Sequence, residues 1–350
     1  MLNPSAKLDS EFEKEFASKK SSDLLATHGQ TFSSQTPSLA ATRDGFGKGL
    51  LELGEKDPRV LALCADLAES TRMLAFKEKY PERYIELGVA EQNLASVASG
   101  LANYGKIPFI ASYAAFSPGR NNEQIRTTIS LNNVPVKIVG SHAGLSVGPD
   151  GATHQALEDI ALMRVQPNMC VLSPCDAEEA RKATRAAATH NGPVYIRLAR
   201  EKTPVMTTLA SPFEIGRANL LWLGENPQVT IFATGPLTYQ ALMAAQELES
   251  EISVSVINVH TIKPLDTAAV VAAAKNTGAV VTVEEHQIAG GLGSAIAEAL
   301  AQEYPVPMEF VGVRDQFGQS GNPAELLAHY KLDTPAIKEA VKTVFARKLQ

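Results

Sequence analysis

The chain has 350 residues, 45% of them hydrophobic and 20% charged, and a net charge of −6. That length supports two domains with separate cores, and the acidic balance, with no basic stripe to neutralise phosphates, argues against nucleic-acid binding. No apolar run is long enough to span a membrane, and Cys64, Cys170 and Cys175 form no C-x-x-C pair, which argues against a disulfide framework or zinc site and fits a reducing cytoplasm.

Residues 1–38 carry many serines and alternating charges without the apolar core of a signal peptide, and read as a flexible or partner-docking arm. Gly45-Phe46-Gly47-Lys48-Gly49 follows no β-strand pattern and lacks the gap before the third glycine that dinucleotide loops use, so it reads as part of a helix running to Leu53. Short β-branched runs then alternate with helical periodicity. Strands are expected at Val60–Leu63, Phe109-Ile110, Val134–Val139, Cys170–Leu172 and Val194–Ile196, with helices at Asn93–Tyr104 and Ala177–His190. A turn-rich stretch from Thr203 to Ile215, with Pro204 and Pro212, marks a boundary between domains at 39–209 and 210–350. Further strands are expected at Val229–Phe232, Val254–Ile257, Val280–Val283 and Phe310–Val313. Gly290-Gly291-Leu292-Gly293 opens a helix at Ser294–Tyr304 and reads as a packing feature. The expected fold is α/β: two consecutive domains, each a mostly parallel sheet covered by helices.

His142 and His154 bracket a stretch in which Gly144, Gly148, Pro149 and Gly151 disfavour a stable helix and force a tight loop. Two imidazoles and Asp150 on one loop suit proton handling around a polar ligand near neutral pH. By itself the loop is equally compatible with two unrelated surface histidines.

Its company narrows the reading. Glu86-Leu87-Gly88-Val89-Ala90-Glu91-Gln92-Asn93 lies upstream, then a helix of small apolar residues, then Pro108–Phe116; Tyr195-Ile196-Arg197-Leu198-Ala199-Arg200 lies downstream. In this order and spacing the set resembles the pyrimidine-binding domain of transketolase. Thr261-Ile262-Lys263-Pro264-Leu265-Asp266, Glu284-Glu285-His286 and the Gly290 cluster resemble that family's C-terminal domain. The resemblance covers residues 39 to 345.

It implies thiamin diphosphate as cofactor, with the protein supplying orientation and proton bookkeeping. Glu91 matches the glutamate that contacts N1′ of the aminopyrimidine, and Val89, Ala90, Leu94 and Ala95 are apolar enough to desolvate it. Tyr113 and Phe116 match the aromatic wall of the pyrimidine pocket, with tyrosine at 113 where phenylalanine is more usual. Val89 and Leu67 match apolar contacts to the cofactor, and Asp66 an aspartate near it. Asp150 and His154 match residues that read the hydroxyls of the ketose donor. His142 is implied to lie farther out, near the acceptor phosphate. Arg43, Ser70 and Arg200 match the phosphate clamp.

The family's diphosphate-binding domain, with its Gly-Asp-Gly segment and magnesium ligands, has no counterpart in this sequence. The resemblance therefore implies the C-terminal subunit of a split transketolase, transferring a two-carbon ketol unit between phosphorylated sugars. It would act with a separate diphosphate-binding subunit that carries the magnesium ligands, as an α2β2 assembly. A deoxyxylulose-phosphate synthase tends to have arginine where His142 stands, and the β subunit of a 2-oxoacid dehydrogenase does not usually combine both histidines with Asp150. A non-catalytic subunit of the same fold predicts erosion at Glu91, Asp150 or His154, and all three are present.

Overall fold

A computed structural model describes residues 37–350, so the arm expected at 1–38 lies, up to residue 36, outside the described residues. The chain enters through β1 (Leu39–Ala41) and α1 (Thr42–Lys56). Six strands of the first sheet follow: β2 (Val60–Cys64), β3 (Tyr84–Glu86), β4 (Ile107–Tyr113), β5 (Lys137–Ser141), β6 (Cys170–Leu172) and β7 (Val194–Arg197), mutually parallel throughout. β8 (Lys202–Pro204) returns to pair antiparallel with β1. The second sheet is formed by β9 (Asn219–Leu223), β10 (Val229–Ala233), β11 (Val254–Asn258), β13 (Val280–Gln287) and β14 (Met308–Val313), in the order β14-β13-β10-β11-β9 with β9 antiparallel. β12 (Thr261–Lys263), between β11 and β13 in sequence, instead joins the edge of the first sheet antiparallel to β6.

Each sheet is buried on both faces, which is why its strands read as nearly continuous apolar runs. In β2, Leu61 and Leu63 face one cluster while Val60, Ala62 and Cys64 face another. The first of these clusters continues through Leu220, Phe232 and Ile257 of the second sheet, so one core joins the two domains. The other covers the first sheet with α1 and α5 (Ala177–Thr189) through Phe46, Leu50, Ala180 and Ala183. The far side of the second sheet packs on α6 (Thr238–Leu248) and α10 (Thr334–Lys348).

The two glycine clusters have packing explanations. A Cβ on Gly45 would lie 1.8 Å from the Ala177 carbonyl oxygen and one on Gly49 2.9 Å from that of Arg181, so the glycines let α1 approach the α5 backbone. At α8 (Leu292–Glu303) the buried Glu284 carboxylate accepts the Leu292 and Gly293 N–H groups, both at 2.8 Å. This cap occupies the helix N-terminus with a protein carboxylate.

The strand expected from Val134 begins at Lys137, because Pro135 brings no N–H to a ladder. All three cysteines are free and buried. Among the described residues, no helix is long and apolar enough to cross a membrane.

Candidate active site

In the first sheet β3 lies on one side of β2, and β4, β5, β7 and β6 on the other, so the chain reverses direction between β2 and β4. Open α/β sheets bind ligands outside the carboxyl ends of their strands at such a reversal. All but one of the candidates follow such an end: Asp66, Leu67 and Ser70 after β2, Val89 and Glu91 after β3, Tyr113 and Phe116 at the end of β4, His142, Asp150 and His154 after β5, and Arg200 after β7. The exception, Arg43, sits in the first turn of α1.

Gly88, at φ +66°, turns the chain after β3 so that Glu91 opens α3 (Glu91–Asn103). Glu91 is 1% exposed, with Leu94 and Ala95 buried beside it as expected. Two features depart from the apolar environment read from the sequence. Val89 is 70% exposed, and the Glu91 carboxylate accepts a 2.7 Å hydrogen bond from Arg120 Nη1. Asn121 Nδ2 donates to the Glu91 backbone carbonyl at 3.0 Å, and the Arg120 guanidinium lies 5.0 Å from the Phe116 ring centroid. Arg120 and Asn121 were missed because neither carries a motif of its own; their position just beyond the aromatic pair was the available signal.

Four rings meet beyond this pair. Tyr113 stacks on His142 with centroids 3.9 Å apart and lies 6.0 Å from Phe116. His154 presents its edge to Phe116 at 5.3 Å and to Tyr113 at 6.1 Å. The loop bearing both histidines takes left-handed glycine conformations at Gly144, Gly148 and Gly151 (φ +90°, +76° and +73°). His142 itself sits at φ +56°, a conformation uncommon for residues other than glycine.

His142 is not farther out than its neighbours: it is 2% exposed and backs the Tyr113 ring. Its Nε2 lies 3.2 Å from Arg43 Nη1, and its Nδ1 lies 2.9 Å from Ser141 Oγ. A guanidinium only donates, so Nε2 accepts and the proton sits on Nδ1, facing the serine. Burial, followed by the charges of Arg43, Arg200 and Arg72, pushes its pKa down to about 3. His142 is therefore a neutral imidazole at pH 7 and brings no positive charge to a phosphate.

Arg43 Nη1 also donates to the Ser70 carbonyl at 2.9 Å, so Ser70 enters through its backbone. Among the described residues, Arg43 Nε is buried without a partner. Arg200 Nη1 donates to the Val147 carbonyl at 2.7 Å and lies 3.7 Å from Asp150 Oδ1. On the far side of the reversal, Glu86 Oε1 accepts the backbone N–H groups of Asp66 (2.8 Å), Leu87 and Gly88 (both 3.1 Å). Burial would raise the Glu86 carboxyl, but hydrogen bonds from Tyr84, Asp66, Gly88 and Leu87 outweigh it and hold the pKa below its ordinary value. Glu86 thus shapes the turn carrying Asp66, whose own side chain is exposed, while Leu67 packs at the margin of the core. A continuous series from Glu91 through Arg120, Phe116, Tyr113 and His142 to Arg43 is brought together, with His154 on its flank; Asp66, Leu67 and Val89 lie outside it. Among the described residues, no group of three or more His, Cys, Asp or Glu side chains is placed to hold a metal ion.

Comparison with known proteins identifies the scaffold. The transketolase pyrimidine-binding domain family matches residues 38–206 and the transketolase C-terminal domain family residues 217–337. The chain is 42% identical over 307 residues to the 6-deoxy-6-sulfo-D-fructose transketolase subunit of Clostridium sp. (strain MSTE9), covering 87% of this chain and 95% of that one. It is 42% identical to a putative transketolase C-terminal section of Methanocaldococcus jannaschii, over 85% of this chain and 94% of the other. Human transketolase is 36% identical over 88% of this chain, which spans 49% of that longer protein. A solved split-gene transketolase, described as an inactive β4 tetramer, superposes with a TM-score of 0.82 at 46% identity, covering 88% of this chain and 99% of that one. The chain belongs to the transketolase family and carries its pyrimidine-binding and C-terminal domains.

Proposed function

We propose that this chain is the pyrimidine-side subunit of a thiamin diphosphate-dependent transketolase. It takes part in moving a two-carbon ketol unit from a ketose phosphate to an aldose phosphate, together with a separate subunit that binds the diphosphate and its magnesium. The observation that carries this reading is the meeting of Glu91, Phe116, Tyr113, both histidines and Arg43 at the reversal point of the first sheet.

These residues fit the cofactor. A buried carboxylate opens a helix beside two aromatic rings, and Arg43 Nε, without a partner among the described residues, is a donor nearby. His142 covers one face of Tyr113, so a ligand ring stacks on Tyr113 only from the other. When bound, thiamin diphosphate supplies the carbon nucleophile that this chemistry needs. The protein's contribution is positional. Glu91 holds a proton position against the pyrimidine, with Arg120 as its counter-charge. Phe116 and Tyr113 orient the heterocycle, and Val89 and Leu67, outside that series of rings, supply apolar contacts to the cofactor from the turns after β3 and β2. Asp66 lies at the cofactor's margin. His154 and Asp150 address the sugar hydroxyls. Neutral His142 props Tyr113 and aligns Arg43, which with Ser70 and Arg200 receives the sugar phosphate.

The split-subunit relatives support a partner-dependent assembly, for which α2β2 is the natural symmetry. Free buried thiols suit a reducing cytoplasm. A second reading, a transketolase for a less common ketose, is favoured by two relatives: the sulfofructose enzyme subunit, and an apulose-4-phosphate transketolase subunit of Phocaeicola vulgatus, 37% identical over 85% of this chain.

The test is a coupled two-carbon transfer assay with xylulose 5-phosphate and ribose 5-phosphate. It is run with this chain alone, then with the diphosphate-binding partner, thiamin diphosphate and magnesium. Activity is expected only in the mixture, and Glu91→Ala should lower it by at least ~10²-fold, the scale of a lost proton-handling group. Turnover by the chain alone would overturn the split reading. A mixture that binds cofactor yet transfers only from 6-deoxy-6-sulfo-D-fructose or apulose 4-phosphate would favour the second.

A further inference from the structure

We propose that Glu285, contributed by the second domain, is a positioning residue for the loop from His142 to His154. This rests on the proposed role of that loop in reading the sugar substrate. Glu285 lies in β13 and is 3% exposed, yet its carboxylate leaves its own domain: Oε1 accepts the Ser146 backbone N–H at 2.6 Å. It also sets the shape of the bend before Ser146. At Gly144 a Cβ would lie 2.4 Å from Oε1, so only glycine accommodates the carboxylate there.

The neighbours convert this grip into placement of polar groups. Ser146 is followed by Val147, whose carbonyl receives Arg200 Nη1 at 2.7 Å, and Arg200 in turn stands 3.7 Å from Asp150. A shift of Ser146 therefore displaces both Arg200 and Asp150. Farther along, Gln287 N donates to the Leu157 carbonyl at 2.8 Å. Gln155 Nε2 bridges the carbonyls of Leu145 and Gln319, each at 3.0 Å. Beneath, Arg197, 5% exposed, donates from Nη2 to the Glu285 carbonyl at 2.8 Å and from Nε to Asp159 Oδ2 at 2.9 Å. Burial holds the Glu285 carboxyl above its ordinary range, a rise that Arg197 and the Ser146 N–H oppose only in part. The ordering entropy of the loop is thus offset by contacts from a domain to which the family resemblance assigns no cofactor.

Two variants test this. Glu285→Ala removes the acceptor, whereas Glu285→Gln keeps an oxygen for the Ser146 N–H at nearly the same size. Glu284→Gln, which touches the α8 cap and not the loop, is the control. Hydrogen exchange of the full chain should show amides at 143–157 opening at least ~10-fold faster in Glu285→Ala, largely rescued in Glu285→Gln and unchanged in the control. With the diphosphate-binding subunit present, Glu285→Ala should raise KM for the sugar phosphate roughly tenfold while kcat changes little. Unchanged loop exchange, exchange that rises equally across the whole chain, or a loosened loop with an unaltered KM would each overturn the proposal. If the loop loosens but the wild-type mixture shows no two-carbon transfer from any ketose, the functional reading fails while the hold of Glu285 on the loop stands.

Discussion

At the residue scale, the site is organised by pairings between side chains whose types are unremarkable. Glu91 at the start of a helix is a common device; with Arg120 at 2.7 Å it becomes a buried carboxylate with a defined partner. His142 illustrates how environment sets protonation. Its pKa, about 3 in the folded chain against an ordinary 6.5, is depressed, so the folded state binds fewer protons than the unfolded one as pH falls. The stability tied to the neutral ring is fully present above pH 6.5 and is lost as pH falls toward 3. Between pH 7 and 5 this should cost the wild type about 2 kcal/mol more than His142→Asn, a substitution that tolerates the left-handed backbone. Urea unfolding of both proteins at the two pH values checks it, and equal losses would show that the ring protonates freely in the folded chain. The residue types at 91, 113, 116, 142 and 154 were legible from the sequence. The burial of His142 was not, because it depends on Arg43 and Tyr113 closing over it from other elements.

At the element scale, short runs rich in β-branched residues between helical stretches located β2, β4, β6, β7, β10, β11, β13 and β14, since strands buried on both faces read as continuous apolar runs. β3 (Tyr-Ile-Glu) and β12 (Thr-Ile-Lys) carry no apolar run of the kind that marks the equally short β6, and Leu220-Leu221-Trp222-Leu223 in β9 reads equally as helix. Helix α1 is a case of propensity overruled by packing. Alanine is the better helix former by about 1 kcal/mol, yet Gly45→Ala should destabilise the chain by about 1–3 kcal/mol, since the added carbon meets the Ala177 carbonyl at 1.8 Å. A gain in thermal stability would show that α1 can move away from α5. The cap of α5 carries more than an ordinary N-cap. Asp176 accepts from Glu179 N and Thr207 Oγ1 through one oxygen and from Met206 N and Thr207 N through the other. Asp176→Ala should therefore cost about 3 kcal/mol, above the ~1 kcal/mol typical of a cap, in denaturant melts.

At the scale of the whole molecule, the two sheets share a core and a buried arginine, held by an ion pair within the first domain, that hydrogen-bonds across to the second. Arg197 of the first sheet, 5% exposed, pairs with Asp159, 1% exposed, and donates to the Glu285 carbonyl of the second. Arg197→Met leaves Asp159 as an uncompensated buried charge, and a loss of about 3–5 kcal/mol is expected. Calorimetry should then show the single transition broadening or splitting as the domains uncouple; one sharp transition at the wild-type temperature would show that the shared apolar core alone joins them. The amino-acid sequence by itself determined the α/β class, the order of most elements, the loop glycines and the chemical types of the site. These follow from preferences that act over a few residues, in steric, rotameric and apolar periodicity. Only the tertiary structure decided that Arg120 partners Glu91, that Arg43 meets a buried His142, and that Glu285 reaches Ser146. Those partners lie 29, 99 and 139 positions apart, and local backbone preferences do not reach across such separations. What joins them is strand order and the shared core, which bring distant loops to one end of one sheet.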